Sequence, residues 1–194
     1  MRKFFAALLV ALFGTVSLFA DDVADVKATL VNNLKLAVKG DFAGVLAVYT
    51  PDYLETTSDG KTIDYKQARR LVLALDGKHP EEFLLIAVSD ELNGAEPTAE
   101  MMQKLREVAN NPEFVKRYQA ALPIVIAKGK EASALHLKTL KFVTVKAEGD
   151  KAVAVVEYDS LDAQSGAIKH KIDTVSLRKI DGSWKIYRSV VKEK

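Results

Sequence analysis

Apolar residues recur at spacings of three and four between Asp22 and Lys39, where Val23, Val26, Leu30, Leu34 and Ala37 share one face of a helix. Asp21 and Asp22 stand at its expected start, where a carboxylate meets free N–H groups and the positive end of the helix dipole. Gly40 is suited to stop it with a left-handed cap. Asp41 then opens a shorter helix with Phe42, Val45, Leu46 and Tyr49 on one side, which Pro51 is expected to end. Asp52 to Thr57 reads as extended, and Ser58-Asp59-Gly60 as a turn. Asp64 and Gln67 form a capping box for a helix burying Tyr65, Ala68, Val72 and Leu75, closed by Gly77.

From His79 to about Ala127 the pattern is mostly helical. Pro80 and Pro112 suit first-turn positions, Thr98 and Asn111 suit N-caps, and Pro123 is expected to kink or restart its helix. Phe83–Val88 is an unbroken apolar run that fits a helix or a buried strand equally well. The last third changes its period to two. Leu137–Lys146, Ala152–Ser160, Ile168–Ile180 and Trp184–Val191 are β-branched runs separated by Glu148-Gly149-Asp150, Ser165-Gly166 and Asp181-Gly182-Ser183. Turn residues between alternating strands predict an antiparallel meander, and helices followed by a sheet predict an α+β domain with the helices on one sheet face.

The N-terminus carries a different signal. Arg2 and Lys3 precede an apolar run from Phe4 to Phe19, and Ala20 meets Asp21-Asp22. This is the layout of a secretory signal peptide cut after Ala20. The run is shorter than the roughly 20 apolar residues of a spanning helix. Leu18 is large for its place two residues before the cut, so an uncleaved anchor is the alternative. No cysteine follows, which excludes a lipid-modified N-terminus. The whole chain has 28 Lys+Arg against 26 Asp+Glu, and without Arg2 and Lys3 the two signs balance. A neutral mature chain offers no electrostatic case for nucleic acid. With no cysteine to form disulfides, its stability must come from one hydrophobic core spanning residues 21–194.

Taken together, four features resemble the NTF2-like superfamily, which includes SnoaL-like cyclases and ketosteroid isomerases. They are a helix ending in Gly40-Asp41, a short helix ending at Tyr49, an extended segment after Pro51-Asp52, and a meander closing on Asp181-Gly182-Ser183-Trp184-Lys185-Ile186. The resemblance covers residues 22–76 and about 137–191, and implies a curved antiparallel sheet wrapped around helices as a cone with a cavity. Residues 78–127 then stand as a helical insertion. The isomerase resemblance implies three catalytic addresses, which fall on Asn33, Thr57 and Thr174. None keeps the catalytic residue type, so isomerase chemistry is not expected. Thr57 has no basic group near neutral pH. Asn33 and Thr174 keep the capacity to donate hydrogen bonds to a ligand.

The expected function is therefore non-catalytic binding of a small, partly apolar ligand by a periplasmic or secreted domain. Asn33, Tyr49, Thr57, His170, Thr174 and Trp184 are the candidate ligand-binding residues, with Tyr49 at the cavity rim and Trp184 as a plug. Two other readings stand beside it. One is an interaction module or homodimer using an outer sheet face of Val153, Val155, Val175 and Leu177, with the helical insertion. The other is a lyase or cyclase pairing His170, aligned on the concave face with Ile172 and Thr174, with Glu157 or Asp173. His79, His136 and His170 lack metal-ligand spacing, and the chain has no phosphate loop or cysteine nucleophile, so no metal or cofactor is expected. Lys128–Glu131 reads as a solvated face. No membrane contact is expected once the signal is removed. Mass spectrometry of the protein exported by a bacterial host should give a mature N-terminus at Asp21; retention of Met1–Ala20 would favour the anchor.

Overall fold

The computed structural model describes the backbone of residues 2–88, 97–162 and 165–194, and the side chains of those from 21 onward. The first helix, α1 (Arg2–Lys39), runs unbroken through Asp21-Asp22. Those carboxylates therefore do not cap it in the full chain. Asp22 instead pairs with Lys179 at 2.6 Å. The side chains on which the signal-peptide reading rests lie outside the described residues.

At the other end of α1, Gly40 adopts φ 82°, a conformation that would strain any other residue. The Gly40 N–H bonds back to Ala37 and the Asp41 N–H to Leu36, which closes the helix. The Asp41 carboxylate accepts from the Gly44 N–H at 2.9 Å and starts α2 (Phe42–Leu46). This helix ends before Tyr49, which is the first residue of β1 (Tyr49–Thr56) and not the last of a helix. Pro51 thus lies inside a strand. It sits where the pairing of β1 with the last strand shifts register between Tyr49 and Leu54, so its missing N–H breaks no regular ladder.

A short β2 (Thr62–Asp64) leads into α3 (Tyr65–Leu75), whose Asp64–Gln67 capping box is formed in both directions. The middle segment holds α4 (Pro80–Ala87), α5 (Ala99–Ala109) and α6 (Pro112–Thr139). Phe83–Ala87 is accordingly helix, with Pro80 in its first turn. Thr98 and Asn111 cap α5 and α6 as their positions predict. α6 continues through Pro123 without a restart. The carbonyl that Pro123 leaves without a donor belongs to Gln119, which is exposed and open to water. The helix also takes in Leu137–Thr139, expected to be strand, so that β3 begins only at Lys141.

The strands β3 (Lys141–Glu148), β4 (Lys151–Leu161), β5 (Ile168–Ile180) and β6 (Ser183–Glu193) form the meander. Ile180 pairs with Ser183 across Asp181-Gly182, and both turn residues have positive φ, as a tight hairpin requires. The six strands form one sheet in the order β2-β1-β6-β5-β4-β3. It is mixed and not purely antiparallel, because β1 and β6 run parallel. The elements from β2 to β5 lie between these two strands in sequence, so no hairpin dictates their relative direction.

Alternation along the central strands sorts their side chains between two faces. Ala152, Ala154, Val156 and Tyr158 of β4 and Val175 and Leu177 of β5 are buried on the concave face, in one cluster with Val26, Leu30, Tyr53, Trp184 and Ile186. Val26 and Leu177 have no exposed surface at all. α1 packs on α6, β3 and β6, while α6 packs on α1 and β4. Away from the sheet, the buried Tyr118 of α6 donates its hydroxyl to the Ala74 carbonyl of α3 at 2.6 Å, and its ring meets Phe83 of α4 edge to face at 5.6 Å. One side chain thus ties three helices together. Tyr118→Phe should cost about 1–2 kcal/mol, since it leaves a buried carbonyl without its donor. Urea unfolding would measure this, and an unchanged midpoint would show that the bond does not anchor the segment.

Candidate functional site

Where α1 and α6 cross the concave face, the residues facing the sheet leave a cavity of about 310 Å³. Its apolar wall includes Leu30, Leu34, Ala37, Val45, Leu140, Val156 and Val175. Its polar groups are Asn33 from α1, Tyr49, Tyr53 and Glu55 from β1, Ser133 and His136 from α6, Tyr158 from β4, Asp173 from β5 and Ser189 from β6. Among the described residues, no Lys or Arg side chain lines it.

These polar groups form short chains. Asn33 donates through Nδ2 to the Tyr49 hydroxyl at 3.3 Å. The Tyr49 and Tyr53 rings lie 4.3 Å apart, and the Tyr53 hydroxyl donates to Glu55 at 2.7 Å. The Ser189 hydroxyl lies 2.8 and 2.9 Å from the two Asp173 oxygens and donates to one at a time. His136 stacks on Tyr158 with centroids 3.5 Å apart. The Glu55 carboxylate accepts the Tyr53 proton, whereas Asn33 Oδ1 is buried with no protein partner among the described residues. A buried amide oxygen left so costs about 1–3 kcal/mol.

Burial sets the protonation states. It raises the Tyr49, Tyr53 and Tyr158 hydroxyls above the ordinary phenol range, with the charges of Glu55 and Asp173 adding to the effect. All three therefore stay protonated. Burial, then the charge of Lys171, holds His136 down at about 4, so its ring is neutral near pH 7. Burial pushes Asp173 up to about 6, and the nearby Glu55 carboxylate adds to that, while the Ser189 hydroxyl pulls the other way. The result is a partly open site lined by hydrogen-bond acceptors and neutral donors, on which the charge of Lys171 acts through His136.

Of the residues expected to bind ligand, Asn33 and Tyr49 come together in this cavity and the other four do not. Thr57 follows β1 and bonds within the turn, to Asp59 and to the Lys61 carbonyl. Thr174 pairs with Val155 and Val190 on the convex face, one residue away from the inward Asp173. His170 is also convex. Its Nδ1 lies 2.9 Å from Asp159 and its Nε2 3.8 Å from Glu157, across the sheet from Asp173. The geometry therefore assembles no cavity-facing pair from His170 with Glu157 or Asp173. Trp184 is buried in the core near the Asp25–Asn32 stretch of α1, away from the cavity. The outer face expected for dimerisation also changes: Val153 is convex and 43% exposed, but Val175 and Leu177 are buried on the inside.

Glu55, His136, Tyr158 and Asp173 were not singled out as cavity residues from the sequence. A signal for Asp173 was present, since it shares its parity with Val175 and Leu177, the apolar side of β5. Glu55 similarly alternates with Tyr53.

A curved sheet of this order with helices across its concave face and a cavity between them makes an α+β fold. Several solved structures described as NTF2-like or ketosteroid isomerase-like are similar to this chain at low identity. An NTF2-like protein with a cystatin-like fold from Novosphingobium aromaticivorans is 13% identical, with a TM-score of 0.49 over 95% of this chain and 89% of that one. An NTF2-like protein of unknown function from Silicibacter pomeroyi is 13% identical, with a TM-score of 0.46 over 90% and 98% of the two chains. A ketosteroid isomerase-like protein from Erwinia carotovora atroseptica is also 13% identical, with a TM-score of 0.43 over 90% and 98%. No protein-family model and no curated protein sequence matches the chain.

The raised Asp173 gives the site a pH signature. The folded protein holds this proton more tightly than the unfolded chain, whose aspartate has the ordinary value of 3.8. The resulting stabilisation is complete below 3.8 and is lost as pH rises through about 6. Asp173→Asn removes the titration and keeps an acceptor for Ser189. The stability of the variant relative to wild type should therefore increase by about 2 kcal/mol between roughly pH 4 and pH 8. Chemical denaturation at the two pH values measures it, and a constant difference would place Asp173 in a solvated setting.

Proposed function

We propose that the exported form of this chain binds a small, partly apolar molecule in the concave cavity, and that it holds the molecule without transforming it. The observation that carries this reading is a space of about 310 Å³ with mostly apolar walls, lined in part by Asn33, whose Oδ1 is buried without a protein partner among the described residues. The volume falls at the lower end of the range of ordinary small-molecule sites, which are likewise mostly apolar with a few placed polar groups. A ligand that donates a hydrogen bond to Asn33 recovers the cost of leaving that oxygen dry. Tyr49 borders the same space, and its hydroxyl lies 3.3 Å from the Asn33 side-chain amide.

The charge balance narrows the ligand further. An anion entering this site would meet Glu55 and Asp173, with no Lys or Arg side chain among the described lining residues, and burying it would cost several kcal/mol. A neutral or cationic donor meets no such barrier. The charged start, apolar run and Ala20 at the head of the chain support export as the setting in which it acts.

Thermal-shift measurement of the purified protein against compact cyclic alcohols, phenols and amides tests the reading. Binding at 100 times the dissociation constant should stabilise the protein by about 2.7 kcal/mol. Asn33→Leu should make the ligand-free protein more stable by about 1 kcal/mol, because an unpaired amide is removed, and should weaken the ligand response about tenfold. A response equal to wild type in that variant, or no response to any compound, would overturn the proposal.

A further inference from the structure

Next to the cavity runs a second, larger space of about 530 Å³ between α2, α3, α4 and α6, walled by residues such as Leu46, Ile63, Val72, Leu75, Leu85 and Ile86. The two spaces share Val45, Tyr49, Tyr53, Glu55 and Ser133, so each opens onto the same patch of β1 and α6. α6 shows the continuity best. Val125, Gly129, Ser133 and His136 recur at spacings of four, four and three, which is one face of a helix. The first two line the groove, Ser133 lines both spaces, and His136 lines the cavity.

The groove is underfilled. Leu71 is 50% exposed and Val125 40% exposed along it, although both belong to the apolar faces of their helices. A Cβ added at Gly129 would meet nothing within 4 Å. The two ends of the joined space differ in kind. The cavity end holds the acceptors Asn33 Oδ1, Glu55 and Asp173, while the far end is apolar apart from Gln67 and Arg70. Arg70 lies 3.8 Å from Glu82 and is thereby held by a carboxylate.

From this we infer that the ligand is a linear amphiphile, with a hydrogen-bond-donating, non-anionic head in the cavity and an alkyl tail in the groove between α3, α4 and α6. The inference rests on the cavity being a ligand site and adds the ligand's shape and polarity. Asn33 and the two carboxylates select the head. The groove gives a tail a dry path that begins at Tyr53 and Ser133, and its length sets how much chain is buried.

Isothermal titration of the purified protein with hexanol, octanol and decanol, and with octylamine and octanoate, tests this. The dissociation constant should fall about fourfold for each methylene buried. Octylamine should bind as octanol does, and octanoate about tenfold or more weakly than octanol. Gly129→Leu places a side chain in the open groove and favours helix, so the fold is retained. It should abolish the advantage of decanol over hexanol, and Leu71→Gln should reduce it. Octanoate binding as well as octanol overturns the head assignment. Equal affinity across the alcohols, or no effect of Gly129→Leu, overturns the tail site; a retained response to cyclohexanol in that case leaves the cavity reading standing. A protein that responds to neither cyclohexanol nor any alkyl compound loses both.

Discussion

The packing of Leu177 fixes the candidate site. Its side chain has no exposed surface and lies in one cluster with Val26 of α1 and with Trp184 and Ile186 of β6. Turning it outward would forfeit roughly 2–3 kcal/mol of burial and leave a hole beneath the first helix. Because a strand alternates strictly, this one residue also commits Val175 and Asp173 to the inside, and Thr174 and His170 to the outside. The face of an acid is thus decided by a leucine four residues away. The chemistry of the cavity follows from the core, and not the reverse.

Asp173 is tolerated inside because its burial is partial and its oxygens are served. Ser189 donates to it from the neighbouring strand, which the register places beside it through the Val175–Ser189 and Asp173–Val191 pairs. Glu55 works against ionisation of Asp173 from β1, and β1 reaches that position only because it runs parallel to β6. The mixed sheet therefore has a chemical consequence. It brings an acid from the start of the sheet close to one from the meander, with the neutral phenols of Tyr49, Tyr53 and Tyr158 around them. Such a site polarises a bound neutral group from several sides while charging it little.

What the sequence showed plainly was local. The Gly40-Asp41 joint, the Asp64–Gln67 box, the Thr98 and Asn111 caps and the Asp181-Gly182 hairpin each involve groups within a few residues, and each formed as its chemistry required. The cavity address was legible on α1, where helical spacing alone turns Asn33 inward beside Leu30 and Ala37. It failed on the strands. Counting eight residues from Tyr49 assumes even spacing, yet the register of β1 shifts between Tyr49 and Leu54, and counting back from Gly182 along β5 passes over the apolar parity that Asp173 shares with Val175 and Leu177. One residue of error moves a side chain to the other face, which is why Thr174 replaced Asp173 in that count. His136 was hidden for another reason. Leu137–Thr139 look like strand, and only their packing in α6 carries the histidine onto Tyr158.

α6 also explains why the helical middle is more than an ornament on the sheet. A cone closed by α1 alone would present Asn33 and the strand residues to an open mouth. The long helix lies across that mouth and contacts both α1 and β4. One face of it contributes Ser133 and His136 to the cavity and Val125 and Gly129 to the groove. Its remote end is tied to α3 and α4 by Tyr118. The same helix thus carries both the Tyr118 tie to α3 and α4 and the His136 stack on Tyr158. Through it the helical middle is part of the wall of the site. It sets the length of the space, while the strands beneath set its polarity.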